Sequence, residues 1–390
     1  MASVDVPVAL LGYGTVGSAV NRLLHEQADD IERATGHRLR VVKALVRDLD
    51  HERVFAPEGG VLTTDVGEIT GDPGIAVVAE VMGGVDPAGE YVLACLQGGK
   101  HVVTANKQLV ARRGAELFDA ATAAGVQLRF EASVCAAIPV IKVLRESLVV
   151  TNVHRVLGIV NGTTNFMLTE MEGGATYDEA LREAQARGFA ESDPSDDVSG
   201  ADAAAKMAIL ATVAFNSRFS LADVQMVGID RITPLDVAAA RELEMVIRLV
   251  GSARLVDGQV DVRVRPSLVD KQHPLASVAG AFNAVMLQGD AIREITLEGP
   301  GAGGIETASA PASTAFDTAT VIPRSLNDPV GFMPSNLKCS STPSRSPIRR
   351  ERISGVEPSP SVTSGVAAVT GSRSPNRAIT PMRGPSHRAR

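Results

Sequence analysis

The sequence predicts an α/β protein that begins with a doubly wound parallel sheet and continues into a domain of α+β type. Short apolar runs alternate with helical patterns over about the first 130 residues, and a glycine-rich turn follows the first run. After Ala136 this alternation is lost, and near Pro311 the composition changes again. We therefore expect three parts: residues 1–135, residues 136–310 and a disordered tail at residues 311–390.

In the first part, apolar runs predict parallel strands, and stretches with a helical period predict helices. The strands are expected at Val6–Leu11, Leu39–Val46, Ile75–Val81, Lys100–Thr104 and Val126–Glu131. The helices are expected at Ser18–Ile31, Ala88–Gln97 and Ala111–Ala124. This alternation builds a Rossmann-type sheet with helices on both faces.

The second part mixes strands and helices without a repeating order. The strands are expected at Val153–Val160, Val260–Arg265 and Ala284–Leu287. The helices are expected at Tyr177–Arg187 and Ala201–Phe215. Asn161-Gly162 follows the first of these strands and is typical of a tight turn. The end of this part, about residues 295–310, is expected to return to the first domain.

Composition and charge disfavour several classes of function. Aromatic residues make up 3% of the 390 residues and Trp is absent, so the stacking platforms of nucleic-acid-binding proteins are not expected. The net charge of −7 disfavours binding to DNA or to anionic membranes. No apolar run approaches the ~18 residues that span a bilayer, and Met1–Asp5 lacks the basic start of a signal peptide. Cys95, Cys135 and Cys339 follow no metal or redox spacing, which indicates reduced thiols and a cytoplasmic protein.

The tail differs from the rest of the chain in its composition. From Pro311 onward it holds about half of the chain's 21 prolines. It contains 11 Lys and Arg residues but only 4 Asp and Glu residues, so it is basic. Such a segment buries too little apolar surface to offset the entropy of the chain, so we expect it to be disordered.

The glycine-rich turn is Gly12-Tyr13-Gly14-Thr15-Val16-Gly17, between a predicted strand and a predicted helix. In that context Gly12 permits the turn, Gly14 lets backbone amides approach a pyrophosphate, and Gly17 lets the helix pack on the strand. We expect these six residues to bind NADP or NAD. An ordinary glycine-containing loop is the alternative.

The end of the second predicted strand bears on the choice of cofactor. Arg47 could pair with the 2′-phosphate of NADP, and Asp48 could accept a hydrogen bond from the ribose 2′-hydroxyl of NAD. A solvated charge pair is the third interpretation, so the sequence favours NADP without deciding it.

The densest group of charged residues is the segment Gly188–Lys206, with five carboxylates and one lysine. Asp202 and Lys206 are four residues apart and share one helix face. A surface ion pair worth ~0.3–0.5 kcal/mol is the ordinary interpretation of such a pair. Glu191 and Asp197 lie just upstream, and together these groups could hold an amino-acid substrate and move a proton at its oxygen.

Two further features lie near predicted strand ends. Lys107 follows Val103-Thr104-Ala105-Asn106 at the carboxyl edge of the parallel sheet, where ligands of such sheets bind. A surface lysine is the alternative. The loop Gly299–Gly304 is rich in glycine and fits either a flexible linker or a close approach to a ligand.

Four motifs in order resemble homoserine dehydrogenase, over about Val6 to Ala310. They are Thr104–Lys107, Asn161-Gly162-Thr163-Thr164-Asn165-Phe166, Glu191–Lys206 and Gly301-Ala302-Gly303-Gly304. The resemblance implies interconversion of L-homoserine and L-aspartate 4-semialdehyde with NADP or NAD, in threonine, methionine and isoleucine biosynthesis. It also implies a homodimer formed through the second domain.

The resemblance further implies roles for individual residues. Lys206 would be the acid and base, assisted by Asp202 and Lys107. The substrate would be held by Glu191, Asp202 and Asp197. Besides the glycine-rich turn, the cofactor would contact Arg47, Thr104, Lys107, Gly188, Glu191 and Gly303.

The resemblance also implies a monovalent cation, sodium, bound mostly by backbone oxygens. They would come from Glu131, Val134, Ala136 and Ile138. Family members often have Gly where this chain has Ala136, whose carbonyl could still serve if its φ stays negative.

After Ala310 the chain departs from the family. There a helix would return to the cofactor domain, and many bacterial members then add a regulatory domain. We expect both to be missing here, and we interpret the tail as the product of a shifted reading frame, with a natural tail as the alternative. The rival functions are a catalytically impaired NADP-binding protein and a different amino-acid dehydrogenase on the same scaffold.

Overall fold

The computed structural model describes residues 3–53, 55, 57, 61–301, 304–319 and 366–368. Its first part holds a six-stranded sheet in which neighbouring strands are parallel. The strands are β1 (Val4–Leu11), β2 (His37–Leu45), β3 (Leu62–Thr63), β4 (Val77–Glu80), β5 (His101–Thr104) and β6 (Leu128–Arg129). Their spatial order is β3-β2-β1-β4-β5-β6, so the chain winds outward from β1 in both directions. The predicted doubly wound sheet is confirmed.

Helices cover both faces of this sheet. They are α1 (Thr15–Glu26), α2 (Ala28–Thr35), α3 (Gly67–Thr70), α4 (Ala88–Gln97) and α5 (Lys107–Ala124). Successive residues of β1 point to opposite faces, and both faces are buried. Val8 and Leu10 pack with α1, whereas Leu11 packs with α4 and α5. This double burial explains why the strands appear in the sequence as unbroken apolar runs.

The second part is built on a mixed sheet. Its strands are β7 (Val153–Ile159), β8 (Gln225–Met226), β9 (Met245–Val256), β10 (Gln259–Asp270), β11 (Phe282–Gly289), β12 (Ile295–Pro300) and β13 (Val366–Ala368). The spatial order is β12-β11-β7-β9-β10-β13, and β8 lies parallel to β10. The helices are α6 (Val140–Lys142), which continues as a π-helical turn over Val143–Ser147, then α7 (Gly162–Glu172), α8 (Tyr177–Ala186), α9 (Ser195–Val198), α10 (Ala201–Ala214) and α11 (Pro234–Glu242).

Several predicted elements differ from the structure. The helix expected at Ser18–Ile31 is two helices that meet at Gln27. The strand expected at Val126–Glu131 is only two residues long, because a 3₁₀ turn begins at Glu131. Asn161-Gly162 is not a hairpin turn: the Asn161 side chain accepts a hydrogen bond from the Thr164 amide and caps α7.

The expectation of a missing return helix is wrong. Helix α12 (Gly304–Ala319) runs through Pro311 and packs on α1, where Ala308 and Ala315 are fully buried. The return begins at this helix and not near residue 295, because β12 still belongs to the second sheet.

The tail is also ordered where the structure describes it. Residues 311–319 belong to α12, and β13 pairs antiparallel with Ser267–Val269 at the edge of the second sheet. The prediction of disorder is therefore wrong for these residues. Residues 320–365 and 369–390, with Cys339, lie outside the described part. Within that part, no helix has the length and hydrophobicity needed to cross a membrane.

Candidate active site

The glycine-rich turn has the geometry that a bound dinucleotide requires. Gly12 has a φ of +107°, which disfavours any residue with a Cβ atom. A Cβ on Gly17 would lie 2.3 Å from the Gly12 carbonyl oxygen, so only glycine allows α1 to approach the turn. Next to Gly14, by contrast, a Cβ would meet nothing within 4 Å. This open space lies at the N-terminus of α1, whose unpaired amides suit a pyrophosphate.

The other residues of the turn face different surroundings. Thr15 is exposed and Val16 is partly buried at the start of α1. Tyr13 points into the protein: its hydroxyl accepts a hydrogen bond from Asn21 Nδ2 at 2.7 Å and donates one to the Phe55 carbonyl at 3.2 Å. Only the backbone of Tyr13 therefore suits the cofactor.

Arg47 and Asp48 are both exposed directly after β2. The Asp48 side chain accepts a hydrogen bond from the Asp50 amide at 2.9 Å. The backbone carbonyl of Asp48 accepts a hydrogen bond from the Arg53 guanidinium. The guanidinium of Arg53 therefore lies in the same loop as Arg47. This position suits a 2′-phosphate without excluding a 2′-hydroxyl, so both alternatives stay open.

Two lysines meet at one buried carboxylate. Asp202, whose side chain is 1% exposed, forms ion pairs with Lys107 through Oδ1 and with Lys206 through Oδ2, the latter at 2.7 Å. Lys107 begins α5 in the first domain, whereas Asp202 and Lys206 share one face of α10 in the second. The site is therefore assembled between the two domains. The ordinary interpretation of Asp202 and Lys206 as a surface pair does not hold.

Electrostatics keep this cluster charged. Burial alone would raise the pKa of Asp202, but Lys206 and Lys107 hold it below its usual value. Burial would lower the pKa of Lys206, and the opposing attraction of Asp202 raises it above the ordinary value instead. The Lys206 ammonium also donates to the Val160 carbonyl at 2.8 Å, which fixes its position.

Asn161 links Asp202 to a second carboxylate. Its Nδ2 donates to Asp197 Oδ1 at 2.6 Å and to Asp202 Oδ2 at 2.9 Å. Burial raises the pKa of Asp197, and the nearby charge of Asp202 adds to the effect. Sequence reasoning assigned no site role to Asn161, although its position between the end of a strand and the start of a helix could have indicated one.

Other predicted residues lie apart from the lysines. Glu191 is exposed, and its described hydrogen bond is the one that its carbonyl accepts from Gln185 Nε2 at 3.2 Å. Gly188 lies at the end of α8 with a φ of +74°. No described contact joins Glu191 to Lys206 or Lys107. Gly303 lies outside the described residues.

A fully buried glutamate, Glu80, ends β4 at the carboxyl edge of the first sheet, and sequence reasoning missed it. It accepts hydrogen bonds from the Thr104 hydroxyl at 2.5 Å and from the Met82 amide at 2.8 Å. Because the Thr104 hydroxyl also accepts from the Asn106 amide, only the backbone of Thr104 suits the cofactor. The signal in the sequence was an acid at the end of an apolar strand.

The predicted cation loop follows the first domain. Burial raises the pKa of Glu131 to about 7, although its carboxylate accepts the Ile141 amide at 2.8 Å. Cys135 and Ala136 have φ values of +53° and +30°, so the condition of a negative φ at Ala136 is not met. A left-handed backbone of this kind favours glycine over residues with a Cβ atom. Val134 and Ile138 are buried, and among the described residues no three His, Cys, Asp or Glu side chains form a metal cluster, so a cation here depends on backbone oxygens.

The comparisons with known proteins cover both domains. A family model described as "Homoserine dehydrogenase, NAD binding domain" matches residues 12–131, and one described as "Homoserine dehydrogenase" matches residues 139–313. Homoserine dehydrogenase of Bacillus subtilis is 42% identical over 309 residues, which cover 79% of this chain and 71% of the relative. The chain belongs to the homoserine dehydrogenase family. The Mycobacterium leprae homoserine dehydrogenase is 46% identical over 78% of this chain and 70% of its own length.

Solved homoserine dehydrogenases have the same fold. The Thiobacillus denitrificans enzyme superposes with a TM-score of 0.79 at 42% identity, covering 82% of this chain and 75% of that one. A hyperthermophilic archaeal homoserine dehydrogenase in complex with NADPH has a TM-score of 0.68 at 28% identity, covering 82% and 99%. This protein is thus a homoserine dehydrogenase by family, an NAD(P)-dependent oxidoreductase that acts on a CH–OH group in amino-acid biosynthesis.

Proposed function

We propose that Lys206 exchanges the proton in the interconversion of L-homoserine and L-aspartate 4-semialdehyde. The bound nicotinamide cofactor supplies or accepts the hydride at the reacting carbon. In the reducing direction the Lys206 ammonium gives a proton to the carbonyl oxygen, and in the oxidising direction the neutral amine removes one from the hydroxyl. The observation that carries this proposal is that the Lys206 ammonium pairs with buried Asp202 and donates to the Val160 carbonyl, while Lys107 pairs with the same carboxylate.

Lys107 and the carboxylates have supporting roles. The Lys107 side chain is 35% exposed, so it can reach a ligand at the carboxyl edge of the sheet while it pairs with Asp202. Asp202 orients both lysines, and Asp197 supports them through Asn161. Glu191 is exposed and suited to bind the substrate amino group, and Gly188 and Gly303 would flank the cofactor.

The proposal also includes the cofactor, the cation, the oligomeric state and the cellular location. NADP is the favoured cofactor because Arg47 is exposed after β2, with Asp48 and NAD as the alternative. Sodium would be bound by backbone oxygens of the loop from Glu131 to Ile138. A homodimer through the second domain and a cytoplasmic location complete the proposal. The exposed apolar side chains of Leu235 and Leu243 in that domain support the dimer, which light scattering would test.

Replacing Lys206 tests the role that carries the proposal. Lys206→Met should lower kcat for homoserine oxidation roughly 10²- to 10⁴-fold, because the proton acceptor is lost. Binding of NADPH, followed by its fluorescence, should stay near the wild-type value, since the glycine-rich turn is untouched. Lys271→Met is the matched control, because Lys271 forms an exposed pair with Glu244 in the same domain. A Lys206→Met enzyme that turns over at the wild-type rate would refute the assignment.

The rival hypothesis of an impaired NADP-binding protein has lost its basis. It depended on a missing return helix and an uncovered face of the cofactor domain. Helix α12 covers that face through Ala308 and Ala315.

A further inference from the structure

The buried side chain of Glu80 has four hydrogen-bond donors around it. Oε2 accepts from the Thr104 hydroxyl at 2.5 Å, and Oε1 accepts from the amides of Met82 at 2.8 Å and Gly83 at 3.3 Å. The fourth donor is Asn106 Nδ2, 3.5 Å from Oε1. A fully buried carboxylate is costly unless it is hydrogen-bonded, so these donors are what allow an acid at this point.

The donors come from the two loops that form the carboxyl edge of the sheet. Met82 and Gly83 follow β4, and the Met82 amide lies 3.2 Å from where a Gly12 Cβ would stand. Thr104 and Asn106 end β5 and begin α5. One carboxylate therefore fixes the loop behind the glycine-rich turn relative to the start of α5.

The start of α5 is held from both sides. The Asn106 Oδ1 accepts from the Leu109 amide at 3.0 Å and caps the helix. Its Nδ2 donates to the Gly84 carbonyl at 2.5 Å as well as facing Glu80. Lys107 is the next residue, and its ammonium reaches across to Asp202. The path from Glu80 to the lysine pair thus consists of one side chain, Asn106, and one peptide bond.

We propose that Glu80 is a positioning residue that sets the place of Lys107 through Thr104 and Asn106. The inference rests on the role of Lys107 in the proposed function. All four partners of the carboxylate donate to it. A glutamine could place its NH₂ group only against the Thr104 hydroxyl, which already accepts from the Asn106 amide and would have to turn its own hydrogen away. The loop and the helix start would shift to relieve that contact, and a displacement of about 1 Å at a reacting group costs on the order of 100-fold in rate.

A double-mutant cycle tests the inference. Glu80→Gln should lower kcat/KM for homoserine roughly 10- to 100-fold in the wild-type background. In the Lys107→Met background the same substitution should change kcat/KM less than about twofold, because the lysine it positions is gone. If Glu80→Gln only disturbed the fold, it would lower kcat/KM by the same factor in the wild-type and Lys107→Met backgrounds. Glu68→Gln is the control, since Glu68 pairs with Lys43 on the surface.

A second variant keeps the test open if Glu80→Gln does not fold. Asn106→Ser retains a helix cap but removes the amide donor to Glu80 and Gly84. It should show the same dependence on Lys107. Equal losses in both backgrounds, or wild-type rates for the variants of Glu80 and Asn106, would overturn the role of Glu80. Wild-type activity of Lys107→Met alone would instead reject the role of Lys107 in the proposed function, and the positioning role with it.

Discussion

Asp202 determines the charge of the site because it is buried between two lysines. Its pairing with Lys107 joins residues 95 positions apart, and no local pattern could have predicted that contact. The spacing of Asp202 and Lys206 was visible in the sequence, but their burial was not. Glu191 belongs to the same charged segment and lies on the surface. The charged segment thus contains the carboxylate that both lysines contact, but its sequence does not show which of the five that is.

The charge of Asp202 should set the pH dependence of catalysis. Oxidation of homoserine requires neutral Lys206, and Asp202 raises the pKa of Lys206 above the ordinary lysine value of about 10.4. We therefore expect kcat to increase with pH without levelling off below that value. In Asp202→Asn the attraction is lost while burial still lowers the pKa of Lys206. The increase in kcat should therefore occur at lower pH. Profiles of kcat against pH for both proteins check this, with exposed Asp230→Asn as the control. Superimposable profiles would show that Asp202 does not tune the lysine.

Among the elements, local periodicity predicted the cofactor sheet well and the second domain incompletely. Helix α4 was predicted with its bounds, and β7 to within one residue. Strand β9 was missed because its middle residues are buried on both faces and do not alternate. Helix α12 was missed because Pro311 lies inside it, and an interior proline normally ends a helix. Packing on α1 outweighs that local preference.

The glycine-rich turn allows fold and ligand binding to be separated. Gly17→Ala should destabilise the first domain, because its Cβ would overlap the Gly12 carbonyl oxygen. Gly14→Ala should leave the melting temperature unchanged, since Gly14 has a negative φ and open space beside it. It should weaken NADPH binding, because the methyl group occupies the space for the pyrophosphate. Thermal melts and fluorescence titrations measure both effects, and equal NADPH affinity for Gly14→Ala would place the pyrophosphate elsewhere.

The interior proline of α12 should limit stability. Pro311→Ala restores an amide donor and removes a clash, a change worth up to ~3 kcal/mol in a helix interior. Because Pro311 is buried and loses some packing, we expect a net gain of roughly 1–2 kcal/mol and a higher melting temperature. Ser313→Ala, exposed on the same helix, should change it far less. A lower melting temperature for Pro311→Ala would show that packing of the proline ring stabilises the protein by more than the interior proline destabilises the helix.

At the scale of the whole molecule, the two domains meet where α5 packs against α10, whereas α12 packs on α1 within the first domain. Regulation by an effector would need a further site with different affinities for two states. The sequence of residues 320–390 shows none of the periodic apolar patterns that predict the alternating strands and helices of a small-molecule-binding domain. We therefore expect no cooperative inhibition by threonine. Titrating threonine into the homoserine assay measures this, and sigmoidal inhibition that does not compete with homoserine would contradict it.

The return of α12 to the first domain has a consequence for the order of synthesis. A ribosome releases the residues of the cofactor sheet long before it reaches residue 304. Until then the face of α1 that later contacts Ala308 and Ala315 has no cover from its own chain. The first domain to be translated is thus the last to be completed, and during the delay its apolar face is open to chaperones or to aggregation.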